Sequence, residues 1–179
     1  MPSILTPALA YFGKAQLLAE EVVRSLAVRQ KTIAAAESCT SGLASDFITR
    51  VPGASKVFWG AFVAYTTDAK IKQIGVSEEL IREHGEVSRP VALAMAEGAL
   101  EKSGASWTFS VTGFAGPGCG SADAPVGTVW IAISGRNEKA QDSFWSDAKM
   151  FSFSGSRNEV REAAAAAALE TLLDRINRT

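Results

Sequence analysis

The chain reads as a single α/β domain, a three-layer α/β/α sandwich built on a mostly parallel mixed sheet. Helical stripes and short apolar strand patterns interleave along its length. Its 179 residues, 47% hydrophobic and 21% charged, suit one globular core, and no repeat, linker or low-complexity stretch divides residues 1–179. Pro7 to about Val28 forms the first helix: Thr6 is its N-cap, Pro7 takes the first helical position, and Phe12, Ala15, Leu18, Val22 and Leu26 make an apolar stripe. Thr32 to Ala36 reads as a short buried strand. A helix starting near Ser41 follows, with Leu43, Phe47 and Ile48 at helical spacing. Val51-Pro52-Gly53 turns the chain into a buried strand over Val57 to Tyr65, and a helical stretch from Ala69 to Ile74 stops at Gly75. Glu78 to His84 and Arg89 to Ser103 are helices capped by Ser77 and Ser88 and closed by Gly85 and Gly104. Trp107 to Thr112 is a strand. Gly127 to Ser134 and Ser143 to Phe153 pair as a hairpin around a turn at Gly135 to Glu138, and Ser156 to Glu159 is a capping box opening a helix that runs to about Asn177.

Composition excludes several classes of function. A formal net charge of −1 argues against a nucleic-acid or anionic-membrane surface. The apolar run from Val57 to Tyr65 is far short of the roughly 20 residues that span a bilayer, and the start of the chain has no leader pattern, so a cytoplasmic location is expected. Two cysteines, Cys39 and Cys119, make no CxxC pair and read as free thiols. With His84 the one histidine, no metal site and no cofactor are expected, and a serine nucleophile would take Lys or Tyr as its base rather than His.

Chemistry concentrates at three loops that follow strands. Glu37, Ser38, Cys39, Thr40 and Ser41 place a carboxylate, three hydroxyls and a thiol where a strand turns into a helix. The amides of a helix N-terminus can hold an anion or a developing oxyanion there, although Ser and Thr at such a turn also suit plain capping. Tyr65 ends a strand and Lys70 follows five residues later, so both tips can enter one pocket; in isolation they read as a packing tyrosine and a solvated lysine. The irregular stretch from Gly113 to Pro125 holds four glycines and two prolines and fits neither the dinucleotide fingerprint nor a Walker motif. Its glycines suit close approach of backbone to a ligand, or equally a tightly packed loop. In a largely parallel sheet, loops beyond the strand C-termini gather at one edge, which joins the three segments in one site.

Those residues carry a resemblance. Ala36 to Gly42 resembles AESCTGG, Val63 to Lys70 resembles VAYSNEAK, and Val111 to Gly120 resembles VTGIAGPGGG, all motifs of the CinA C-terminal domain family of nicotinamide-nucleotide amidases. The similarity runs from Thr32 to Leu173, including His84 to Ser88 and Pro125 to Val129, and leaves the N-terminal helix (residues 1–31) outside the core motifs. The separate nucleotide-processing domain of longer members has no expected counterpart. The resemblance implies hydrolysis of the carboxamide of nicotinamide mononucleotide to nicotinate mononucleotide and ammonia, in pyridine-nucleotide recycling, by a homo-oligomer. It implies Ser38 as nucleophile, Lys70 as general base and Tyr65 assisting proton transfer or orientation. Glu37, Cys39, Thr40, Thr112, Gly113, Ala115, Gly116 and Gly118 would line the substrate pocket, with Arg157 on the phosphate; Arg157 also suits a plain exposed place in the first helical turn. Ser41 and Cys119 depart from the family pattern, each standing where the motif has glycine. Ser41 would narrow the pocket or cap the helix, and Cys119 adds bulk to the loop. The alternatives are attack by Cys39, a nucleotide-binding regulatory module without turnover, and an amidase for a related carboxamide nucleotide.

Overall fold

A computed structural model describes residues 7–118, 120–121, 124–136 and 144–178. The expected Thr6 cap, Cys119, Ser143 and the Asn137-Glu138 end of the hairpin turn lie outside the described residues. The elements run α1 (Pro7–Val28), β1 (Ile33–Glu37), α2 (Leu43–Thr49), a short 3-10 turn (Ala54–Lys56), β2 (Phe58–Val63), α3 (Thr67–Ile74), α4 (Glu78–His84), α5 (Arg89–Ser103), β3 (Trp107–Gly113), β4 (Thr128–Arg136), β5 (Phe144–Ser152) and α6 (Arg157–Ile176).

The five strands form one mixed open sheet in the order β2-β1-β3-β4-β5. β2 and β3 both run parallel to β1, β4 is antiparallel to β3, and β5 is antiparallel to β4, so four strands point one way and β4 alone runs back. Helices cover both faces, making the expected α/β/α sandwich. On one side α6 packs on β3 and β4, with α1 and α2 against α6; Phe47, Phe109, Ile131, Leu169 and Leu172 are fully buried there. The alanine run of α6 is buried on that side, where small side chains let helix and sheet approach closely. On the other side α5 lies across the sheet and α3 and α4 lean on it, around Ile74, Val91, Met95 and Ala99. Among the described residues, no helix is long and apolar enough to cross a membrane.

Capping explains most element boundaries. The hydroxyls of Thr66, Ser77, Ser88 and Ser156 each accept an amide of the helix they precede, and Gly75 and Gly104 end their helices in the left-handed conformation. At α6 the box is complete: Ser156 accepts from the Glu159 amide, while the Ser156 amide and hydroxyl bind the Glu159 carboxylate and hold its carboxyl below the ordinary value.

Three expectations need correction. The helix after the first motif begins at Leu43 rather than near Ser41, because Ser41 and Gly42 both take positive φ (52° and 92°), which α-helix cannot continue through. β2 is shorter than Val57 to Tyr65 and only partly buried, since it is an edge strand paired on one side. The turn expected at Gly135 is strand: Gly135 pairs with Trp145, and a Cβ at residue 135 would sit 2.7 Å from that indole, so glycine admits the ring where the pattern suggested a bend.

Candidate active site

The register of the sheet brings the chemistry together. Glu37 at the end of β1 pairs with Val63 at the end of β2 and with Val111 near the end of β3. The segments that follow these strands therefore leave the sheet side by side. β1 is also where the chain order reverses, β2 lying on one flank and β3 on the other, which is where open α/β sheets form a crevice. The start of α6 reaches the same edge, because β5 ends opposite the beginning of β4.

The crevice is a cleft of about 170 Å³ lined by Ser38, Cys39, Tyr65, Glu86, Val87, Thr112, Gly113, Phe114, Ala115, Gly116 and Arg157. At its inner end Lys70 Nζ donates to Ser38 Oγ at 3.1 Å and lies 3.3 Å from Glu86 Oε2. Ser38 is 6% exposed and Lys70 fully buried, so this lysine is no solvated surface residue. Glu86 stands on the link between α4 and α5, and Thr112 Oγ1 donates to its main-chain carbonyl at 2.8 Å, fixing that link against β3. At the outer rim Arg157 spans two loops: Nη2 donates to the Tyr65 hydroxyl and Nη1 to the Gly116 carbonyl, each at 2.7 Å.

The structure reassigns several of the expected contacts. Glu37 does not face the cleft. Its carboxylate is fully buried and accepts from the amides of Gly42 (2.8 Å), Ala44 (3.2 Å) and Ser45 (2.8 Å) and from the Ser45 hydroxyl (2.5 Å), which leaves it no capacity for a substrate. The same bonds occupy the N-terminal amides of α2, so those amides cannot hold an oxyanion as the sequence suggested. Tyr65 turns its hydroxyl to Arg157, and among the described residues it makes no hydrogen bond to Ser38 or Lys70. Thr112 lines the cleft, but its hydroxyl is committed to Glu86. Thr40 is fully buried beneath the turn, and Gly118 is exposed and outside the cleft lining. Gly113 serves packing, since a Cβ there would meet Val129 and the Thr128 carbonyl within 2.8 Å. Ser41 is exposed and neither narrows the cleft nor caps α2, whose cap residue is Gly42. Cys39 lines the cleft with its thiol pushed up to about 12, chiefly by burial and next by the Glu37 carboxylate. It is therefore a protonated, poor nucleophile at neutral pH.

Two contacts at this site have no counterpart among the expected residues: Glu86 lies beside Lys70, and Arg161 of α6 donates from Nε to the Cys39 carbonyl and from Nη2 to the Thr40 carbonyl, both at 3.1 Å, which holds the turn that carries Ser38. Glu86 lay within the His84 to Ser88 stretch without a role, and nothing in its spacing pointed to Lys70. Arg161 is one helical turn beyond Arg157, and that i, i+4 spacing is the signal that could have placed both on one face.

With this geometry in hand, comparison with known proteins places the chain. The family model described as CinA C-terminal domain matches residues 15–176. The chain belongs to the CinA C-terminal domain family. The match reaches back into α1, beyond the stretch where the motifs are recognisable. Among relatives of this CinA-family chain, nicotinamide-nucleotide amidohydrolase PncC of Escherichia coli strain K12 is 43% identical over 156 residues, covering 87% of this chain and 90% of its own length. A Symbiobacterium thermophilum relative is 45% identical over 163 residues, covering 89% of this chain and 38% of its own length, so the chain spans well under half of the longer curated relatives it matches. The crystal structure of competence/damage inducible protein CihA from Agrobacterium tumefaciens superposes with a TM-score of 0.83 at 38% identity, covering 92% of this chain and 96% of that one.

Proposed function

We propose that this chain is a nicotinamide-nucleotide amidase that hydrolyses the carboxamide of nicotinamide mononucleotide to nicotinate mononucleotide and ammonia. The observation that carries the reading is the 3.1 Å contact between Lys70 Nζ and Ser38 Oγ at the buried end of a cleft whose rim bears Arg157. Similarity to PncC over nearly the whole of both chains supports the substrate.

The residues divide the reaction. Lys70, acting as the free amine, accepts the Ser38 proton as Oγ attacks the carboxamide carbon, and Glu86 beside it holds Nζ in place. The C–N bond then breaks, Lys70 returns the proton to the departing nitrogen, and ammonia leaves. Water, deprotonated by the same lysine, attacks the acyl-serine ester and releases the carboxylic acid and free Ser38. Arg157 takes the phosphate through the fork of its guanidinium, and Tyr65 holds that fork from the side.

The regulatory alternative drew on Ser41 and Cys119. Ser41 is exposed and outside the cleft lining, which removes the part of that support that rested on it, while Cys119 lies outside the described residues. The test is ammonia release from nicotinamide mononucleotide by purified protein, with Ser38→Ala and Lys70→Met as controls. Each substitution is expected to lower kcat by at least about 1,000-fold while nucleotide binding persists. Retention of more than a few per cent of turnover by Ser38→Ala would overturn the mechanism, and nucleotide binding without ammonia release by the unaltered protein would overturn the activity.

A further inference from the structure

Among the described residues that line the cleft, two carry formal charge: Arg157 at the rim and Glu86 at the inner end. The guanidinium is matched to a phosphate. The carboxylate has a capacity that steadying Lys70 does not use up. Its Oε2 lies 3.3 Å from Lys70 Nζ, while Oε1 accepts no hydrogen bond from another described residue, and the side chain is 45% exposed. An ionised carboxylate offers roughly four lone-pair sites, so Glu86 can accept from a ligand without releasing the lysine.

The backbone holds this side chain in place. α4 ends at Gly85, which takes a φ of 76° and whose carbonyl accepts from the Ser88 hydroxyl at 2.9 Å, and the Glu86 carbonyl accepts from Thr112 Oγ1 at 2.8 Å. The link is therefore tied both to the cap of α5 and to β3. Ser38 Oγ and Glu86 Oε2 also touch the same Nζ, at 3.1 and 3.3 Å, so a carboxamide under attack by Oγ lies beside the carboxylate.

Substrate and product present opposite chemistry at that point. A carboxamide is uncharged and offers two N–H donors; the carboxylate that replaces it offers no donor and carries negative charge. With Lys70 as the free amine, no positive charge at Nζ offsets that of Glu86. Resting on the amidase reading, we infer that Glu86 is a specificity-determining residue, which accepts an N–H of the substrate carboxamide at Oε1 and expels the carboxylate product by like-charge repulsion. Arg157 then holds the phosphate that substrate and product share, and Glu86 reads the one group in which they differ.

The experiment measures, by titration calorimetry, the Kd of nicotinamide mononucleotide and of nicotinate mononucleotide. It uses Ser38→Ala protein, which binds without turnover, and the same protein carrying Glu86→Gln or Glu86→Ala in addition, once thermal melting has shown each to be folded. Ser38→Ala protein is expected to bind the amide at least about tenfold more tightly than the acid. Adding Glu86→Gln should weaken the amide and tighten the acid, each by about three- to tenfold, so that the preference vanishes or reverses. Glu86→Ala should likewise abolish the preference. A merely structural role would weaken both ligands together, and that outcome overturns the inference. So does a preference that stays within threefold of the Ser38→Ala value, or a Ser38→Ala protein that binds amide and acid alike. If Glu86→Gln does not fold, Glu86→Ala carries the same criteria. Unaltered protein that binds the nucleotides but releases no ammonia refutes the amidase reading instead, and the Kd values still decide the role of Glu86 because they require no turnover.

Discussion

The two ends of the cleft are built on opposite physical principles. At the inner end Ser38 and Lys70 are nearly or fully excluded from water, with Glu86 half-exposed beside them, and behind the turn that carries Ser38 the buried Glu37 meets four donors at 2.5 to 3.2 Å. At the rim, Tyr65 is 49% exposed and Arg157 is exposed, tied by two bonds to loops that water can reach. A polar group in a dry site holds its geometry because losing a partner leaves it unsatisfied; one at a wet rim exchanges partners at small cost. The inner end is thus suited to chemistry, which requires fixed distances. The rim is suited to recognition, which requires that Arg157 let go of Tyr65 or Gly116 when an anion arrives.

The sharpest way to break this division is at Glu37. Removing its carboxylate leaves four donors without an acceptor in a site that water does not reach, so Glu37→Ala is expected to lower stability by about 3 to 5 kcal/mol in urea unfolding. Glu37→Gln keeps the shape and one carbonyl oxygen, and should lose about half as much. Whatever folded protein remains should show a reduced kcat with little change in KM, because the turn bearing Ser38 is loosened while the rim is intact. A Glu37→Gln protein of unchanged stability but tenfold higher KM would return Glu37 to the substrate pocket and dissolve the distinction between the two ends.

At the rim the expected effects are smaller and fall on the other kinetic parameter. Arg157→Ala should raise KM for nicotinamide mononucleotide by about 10- to 100-fold, corresponding to about 1.4 to 2.7 kcal/mol, with kcat within about threefold. Tyr65→Phe removes only the hydroxyl that holds the guanidinium, so a rise in KM of about two- to fivefold is expected. Steady-state kinetics of both variants separate the possibilities. A 100-fold fall in kcat for Tyr65→Phe would place that hydroxyl in proton transfer and move Tyr65 from the rim to the inner end.

The inner and outer ends also differ in how far they could be read in the sequence. Ser38 and Lys70 follow consecutive strands, and a parallel pairing of those strands is enough to bring the two side chains to one edge; periodicity and turn residues therefore located them. The helix caps at Ser77, Ser88 and Ser156 were equally legible, because capping is local chemistry within four residues. Glu37 is harder to read, because the same local pattern that marks Ser38 also marks its neighbour. A carboxylate beside a nucleophile looks functional in one dimension, and only the two successive positive φ angles at Ser41 and Gly42 curl the chain far enough for the amides of α2 to reach it. The contacts from Lys70 to Glu86, from Tyr65 to Arg157 and from Arg161 to Cys39 join residues 16, 92 and 122 positions apart, and no pattern of local spacing encodes such pairs.

Ser41 sharpens the comparison from outside both ends. It takes φ of 52°, a conformation that costs a residue bearing a Cβ about 1 kcal/mol and glycine almost nothing, and its side chain is exposed. Ser41→Gly relieves that strain but also gives the unfolded chain more freedom, which offsets part of the gain. The net expectation is a stabilisation of up to about 1 kcal/mol, measured by denaturant unfolding, with kcat and KM both within twofold of wild type. Ser41→Val, with a branched side chain at the same φ, should instead lose about 1 to 2 kcal/mol. The reasoning depends on the turn being held by Glu37 and Arg161 rather than by residue 41 itself. Should Ser41→Gly alter kcat by tenfold, the serine would belong to the machinery that aims Ser38, and its departure from the family's glycine would mark a tuned rather than a tolerated position.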